Sequence, residues 1–496
     1  MPHALSPLPK NRFGYSEAEH LLARAGFGGT PEQILTLADM GCEDAVDSLL
    51  EWERVPDPGT DGSQFRSDIM TPLTRSQREK RQRARRSGDE AVLEEFREAR
   101  QARQREDRRQ MRDIQSWWLE RLIETPRPLQ EKLTLFWHGH FATGYRAVED
   151  SWHMMLQNNF LRQNAGGNFR DDLVHGIIRD PAMIKYLNNN QNTRKAPNEN
   201  LARELMELFT LGEGAGYTED DIKEGARALT GMTYRDDTFA FNQRNHDSSG
   251  KRLFGRSGQF DGDDFVELIF QRPAISWFVP WKIHRFFVND AIDVDSDTKR
   301  AVSRMGRTFR SRSWEVRPML RELLCSSWFY DDRHRRTLIK SPVQLTVQAI
   351  RSLGTPARNI NRLNQACGVM GQELFQPPSV KGWEAGRKWI NTSTLFVREN
   401  TLVYLMTGRD PASRAWEASR GGWSAEPLVA HLRGLADRDE VVDVVTYLSR
   451  LLLGSPPTDG SLERWIAFAR NRDSLDNETL THLLSLMTAA PEYQLC

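Results

Sequence analysis

The stretch PNENLARELMELFTLGEGAGYTEDDIKEGARALTG, residues 197–231, decides the fold class. Leu201, Leu205, Leu208 and Leu211 recur at three- and four-residue intervals, and Met206 and Phe209 widen the stripe. That is the period of a helix, not the alternation of a strand. Asn198 is placed to cap its start, and Gly212 to stop it. Thr218 and Asp221 have the form of a capping box, so a second helix opens there and ends near Gly231. Two capped helices in series, with no strand signal between them, predict helix-on-helix packing.

Working outward, the same period recurs along the chain. Helices are expected over 15–26 and 31–52, where Thr30 caps and Pro31 opens the second. Residues 55–65 read as loop. From 75 to 112 the chain carries 14 Lys and Arg against 8 Asp and Glu, broken at Ser87-Gly88-Asp89, which predicts a helical hairpin. Apolar spacing returns at Met111, Ile114, Trp118 and Leu122, where this arm rejoins the core. The next helix starts at Thr125-Pro126-Arg127-Pro128 and runs into HGHFATG. Helices follow at about 151–164, 168–178 and 181–187, and after the central pair at 263–271, 273–288, 296–311, 315–326 and 341–353. Residues 232–262 mix aromatic and polar positions and read as a short β-hairpin or ordered insert. Residues 374–394 hold too much Pro, Gly and Trp for a helix interior and read as a loop packed by Trp383 and Trp389. The expected fold is mainly α: one large multi-helix body over 1–496, with a projecting charged arm at 66–115 and a helical tail at 426–496 packed on the same body.

Composition excludes several classes. The 68 basic and 68 acidic residues balance, so the chain as a whole is no polyelectrolyte. The basic run at 75–112 has no interleaved aromatics for base stacking, so a nucleic-acid partner is not expected; a solvated arm stitched by Glu–Arg pairs one turn apart is. No run of about eighteen apolar residues occurs, so no membrane span is expected. The N-terminal MPHALSPLPKNRFGYSEAEHLL lacks a basic n-region and an apolar h-region, which gives a cytoplasmic expectation. Cys42, Cys325, Cys367 and Cys496 are scattered, without CxxC spacing, and read as isolated thiols. GxSxG, GxxxxGK[ST] and HExxH are missing, and GFGGTP at 26–31 joins two helices instead of following a strand.

Three segments carry candidate chemistry. His138 and His140 in HGH share a face on a strand but point about 200° apart on a helix; a break at Gly139 would let both turn inward as metal ligands, while the commoner outcome for such a residue is a satisfied, half-buried histidine. Glu199, Arg203, Glu204 and Glu207 lie on the opening helix of the quoted stretch. Arg203 pairs with Glu199 and Glu207 one turn away on either side, contacts worth a few tenths of a kcal/mol at a surface. Glu204 is flanked by leucines, so it is expected to be at least half buried and to need a cation, a metal ion or several donors. His246-Asp247 reads either as an acid/base or metal-ligand pair or, for Asp247, as a turn held by its own side chain.

The stretches LLARAGFGGTPEQ, LFWHGHFAT, DPAMIKYLNNNQN, the 197–231 motif, HDSSGKRLFG, MGQELFQPPSVKGWEAGRKWIN and APEYQ, in that order, resemble a large bacterial family catalogued as domain of unknown function number eighteen hundred. The resemblance runs from about residue 15 to the C-terminus. It implies a mostly helical fold throughout and assigns no reaction. Its motif positions fall on His138, His140, Asn198, Glu199, Arg203, Glu204, Glu207, His246, Asp247 and Trp383. Many relatives look exported and sit beside a sulfatase-like neighbour family, a candidate protein partner. Two functions follow. One is an enzyme, a hydrolase or oxidoreductase, with catalytic residues from Glu204, His246, Asp247, Glu199 and Arg203 and a divalent metal ion on His138, His140, Glu204, Glu207 and His246. Its metal-free variant pairs Glu204 with Asp247 for polymer hydrolysis. The alternative is a helical binding or assembly protein whose polar cluster is structural and whose charged arm docks a partner.

Overall fold

A computed structural model of the chain describes residues 5–57, 59, 61–291, 294–409, 422–433, 439–454, 457 and 460–496. The expected fold class holds. Helices dominate, and the strands among the described residues form two small antiparallel hairpins. Met232–Arg235 pairs with Thr238–Phe241, and Lys251–Leu253 with Arg256–Gly258, so the insert holds two hairpins instead of one. Among the described residues, no helix is long and apolar enough to cross a membrane.

The helix Pro128–His140 is the hub. All its residues but Gly139 are buried, including Glu131, Lys132, His138 and His140. It is buried all round because it lies between two apolar clusters. Leu129, Leu133, Phe136 and Trp137 belong to one; Leu135 packs into the other with Trp118, Leu122 and Phe375. Its polar residues are satisfied as a network: Glu131, fully buried, accepts from Arg121, Arg162 and the indole N–H of Trp118.

The charged arm is the helical hairpin the sequence predicts. Arg75–Ser87 ends on left-handed Gly88 (φ 68°), and Glu90–Glu124 then runs back as one helix of 35 residues. Its far end is exposed, and Met111, Ile114, Trp118 and Leu122 are buried. The span 31–52 differs from expectation: Gly41, at φ 80°, splits it into Pro31–Met40 and Cys42–Leu50. Two further helices, Ile360–Val369 and Thr392–Thr407, are not expected from the sequence; the second carries weak apolar periodicity.

Candidate functional site

The quoted stretch folds as read, with one change of geometry. Asn200–Glu204 is α-helical, but Leu205–Thr210 widens into a π-helical turn closed by Leu211 N–H donating to the carbonyl of Met206 (2.9 Å). Such turns concentrate at functional sites because they re-aim side chains on one face. Asn198 does not cap as a conventional N-cap. Its Oδ1 accepts from the N–H of Asn200 (3.0 Å), while Glu199 occupies the cap position.

The helix separates its acids. Arg203 is shared by Glu199 (3.0 Å), Glu207 (3.3 Å) and Glu219 at the start of Glu219–Ala228 (2.8 Å). Glu204 lies outside that network, half-buried, with no hydrogen bond or ion pair among the described residues. Burial raises its pKa above the ordinary carboxylate range, and Glu207 adds to the rise; Arg203 and Lys381 oppose it more weakly. Two carboxylates one turn apart are thus held differently, one by a guanidinium and one by desolvation alone. Tyr186 and Lys381 border Glu204, and Lys381 also pairs with Glu213 (2.8 Å). Neither residue stands out in the sequence, although both lie in stretches that match the family motifs.

His138 and His140 do not turn toward each other. The hub helix continues through His140, so the two rings point to opposite sides. His138 sits among Trp118, Phe375 and Trp383, with ring centroids 5.2, 5.1 and 5.5 Å away. Neither of its nitrogens has a partner among the described residues, and burial, with Arg162 adding, pulls its pKa down to about 3. His140 lies in the other cluster; its Nε2 bonds the carbonyl of Phe209 (2.9 Å). Burial, helped by Lys282, lowers its pKa well below the ordinary value. The glycine between them has a packing role. Gly382 approaches so closely that a Cβ there would lie 2.2 Å from the carbonyl oxygen of Gly139, and Trp383 covers Gly139 itself. The PSVKGW loop is therefore pinned backbone-to-backbone on the hub helix.

His246 and Asp247 have separate environments. His246 Nδ1 lies 2.9 Å from the carbonyl of Thr230; that geometry assigns the proton to Nδ1 and leaves Nε2 without a hydrogen-bond partner among the described residues. Phe241 flanks the ring at 5.2 Å. Asp247 accepts from Arg227 Nε (2.8 Å) and from the Ser249 N–H (3.0 Å) and hydroxyl (2.5 Å). The Arg227 bond, ahead of the Ser249 bonds, holds the Asp247 carboxyl well below its ordinary range. This is the turn held by its own side chain, closed by Lys251 Nζ donating to the Asp247 carbonyl (2.5 Å). The loop docks on the start of the quoted helix through Asn192. The Asn192 Oδ1 accepts from the Asn198 N–H (2.9 Å), and its carbonyl accepts from Gly231 (3.1 Å), whose Cα packs on His246.

The three segments are joined by packing, but their ligand atoms do not converge. Among the described residues, the one group of three His, Cys, Asp or Glu donors within 4.8 Å of one another is Asp171, His175 and Glu267. It contains none of His138, His140, Glu204, Glu207 or His246.

Comparison with known proteins finds one family, described as "Protein of unknown function (DUF1800)", whose match covers residues 20–495. No curated protein and no solved structure matches the chain.

Proposed function

The chain belongs to the DUF1800 family, and we propose that it is an acid–base enzyme of the hydrolase class, with Glu204 as its general acid. The observation that carries this reading is Glu204 itself, a half-buried carboxylate left without a partner among the described residues, immediately before a π-helical turn, while its neighbours are paired. A raised pKa favours the protonated form that a general acid needs, and a pair of acids held differently is the usual division of labour between acid and base. Glu207, paired with Arg203, is the candidate base, and Lys381 supplies a cation for an anionic or polar substrate group. Arg203 and Glu199 position Glu207 and the helix start. His246 presents its Nε2 near that start as a second acid–base group, and Asp247 fixes the loop on which it sits.

The competing reading makes the helix a structural joint of a binding protein. In its favour, Arg203 ties this helix to the next through Glu219. Screening the purified chain against chromogenic esters, phosphates and glycosides separates the two. The enzyme reading expects turnover of one class that falls by about 100-fold or more in Glu204→Gln, with the fold retained. Turnover unchanged in that variant, or a variant that unfolds, overturns it.

A further inference from the structure

The four cysteines read as isolated in the sequence, but the fold brings two of them together. Cys42 is the first residue of the helix Cys42–Leu50, and Cys325 follows directly on the helix Val316–Leu324. The two helices pack against each other, and Arg321 clamps them from outside by pairing with Glu43 (3.1 Å) and Asp47 (2.7 Å). Within that seam the Cys42 Sγ lies 4.0 Å from the carbonyl oxygen of Leu324, whose carbon is bonded to Cys325, and 3.8 Å from the Tyr330 hydroxyl. The Cys325 thiol reaches the Cys42 sulfur as a hydrogen-bond donor. Both residues belong to one apolar cluster, and each keeps 8% of its surface exposed.

A buried thiol is ordinarily inert, because burial disfavours the thiolate; Cys367, pushed up to about 11, is such a case. Cys42 is different. The bond from Cys325 lowers its pKa against the effect of burial, and the Tyr330 hydroxyl adds to the fall; Glu43 opposes and Arg321 assists more weakly. Its place at the start of a nine-residue helix acts in the same sense, since the unpaired N–H groups there favour negative charge. Cys325 moves the other way, raised by its bond to Cys42 first and by burial second. One sulfur is therefore the better nucleophile, and the other is a protonated thiol held against it. That is the arrangement of an oxidant-sensing thiol and its resolving partner. The small exposed area favours a small oxidant over a bulky one.

We propose that Cys42 and Cys325 form a peroxide-responsive dithiol, with Cys42 as the attacking sulfur, Cys325 as the resolving one and hydrogen peroxide as the oxidant. The Cys42 sulfur attacks one peroxide oxygen and the O–O bond breaks. Cys42 becomes a sulfenic acid, and the departing hydroxide takes up the Cys42 proton as water. The Cys325 sulfur then attacks the Cys42 sulfur, the S–O bond breaks, and the hydroxide leaves with the Cys325 proton as a second water. Two thiols are oxidised to one disulfide, and their two electrons reduce one peroxide to two waters. Sulfurs already in contact need only a short approach to bond at about 2.0 Å. The disulfide ties the helix Cys42–Leu50 covalently to the end of Val316–Leu324, reinforcing the clamp of Arg321. This dithiol is independent of the acid–base reading of Glu204.

The test is titration of the full chain, folded and fully reduced, with hydrogen peroxide, followed by thiol counting in denaturant and peptide mapping without reductant. Thiols should fall from four to two, with a single cross-link joining the peptides of Cys42 and Cys325, and dithiothreitol should restore all four. In Cys325→Ser the reaction stops at the sulfenic acid, so dimedone labels Cys42, where the wild type gives little label. In Cys42→Ser the Cys325 thiol stays reduced at the same dose. Four thiols surviving in the wild type, a cross-link to Cys367 or Cys496 instead, or oxidation of Cys325 unchanged in Cys42→Ser overturns the proposal.

Discussion

Glu131→Gln tests the scaffold that holds the HGH segment. Glu131 is fully buried on the hub helix. It receives Arg121 Nε at 2.6 Å, Arg162 Nε at 2.5 Å, Arg162 Nη2 at 3.2 Å and Trp118 Nε1 at 3.1 Å. Asp57 is the second acid of the cluster, so two guanidiniums are balanced by two carboxylates. Glutamine keeps the shape but removes one negative charge, leaving a buried cation uncompensated. Hydrogen bonds to charged groups contribute about 1.5–3 kcal/mol each, and breaking one partner of a buried ion pair costs about 3–5 kcal/mol. The expected loss is therefore about 3–5 kcal/mol, read as a lower urea midpoint by circular dichroism. Burial alone would raise this carboxyl, but Arg162 and Arg121 outweigh it and the pKa falls below the ordinary value. The sign follows: the pair's stabilisation is complete above the ordinary carboxylate pKa and is lost as pH falls through the lower folded one. Wild type and variant should therefore converge only in strong acid. A double variant with Arg162→Met should lose less than the sum of the two single losses, since both remove the same pair. A loss under about 1 kcal/mol for Glu131→Gln refutes the account of the hub.

Three other substitutions sort packing from chemistry. Asp247→Asn should cost about 1.5–3 kcal/mol through Arg227 and Ser249. Because the folded carboxyl is depressed, that difference is present at neutral pH and disappears as pH falls below the ordinary carboxylate range, as melting curves across pH will show. His138→Leu removes two unpartnered buried nitrogens from an aromatic box, so thermal stability should hold or rise by about 1 kcal/mol; a marked fall would mean that His138 has a partner. Gly382→Ala combines left-handed strain at φ 88° with a clash on the Gly139 carbonyl, and should cost about 2–4 kcal/mol by urea titration.

Much of the fold is legible because helical period and caps are local properties. Thr30, Thr218 and Gly88 do what their residue types predict, and the arm rejoins the core at Met111 and Trp118 as its spacing implies. The half-burial of Glu204 is legible for the same reason: its helical neighbours are leucines. What a local pattern does not carry is the partner across the fold. HGH alone does not reveal that the helix runs on through Gly139, which sends the two rings to opposite sides, or that Gly382 packs on it. Asp247 beside His246 looks like a catalytic pair until Arg227, twenty residues back, takes its carboxylate. Cys42 and Cys325 read as isolated thiols until two distant helices pack together.

The thermal stability of Glu204→Gln against wild type across pH tests the central claim most directly. A raised carboxyl contributes stability that is complete below its unfolded pKa and lost as pH rises through the folded one. The account predicts that the variant matches wild type in acid and melts at equal or higher temperature at neutral pH. The gain expected there is a few tenths to about 1 kcal/mol once solvent screening of this half-exposed group is allowed for. A variant less stable than wild type at neutral pH would contradict it and make Glu204 part of the scaffold.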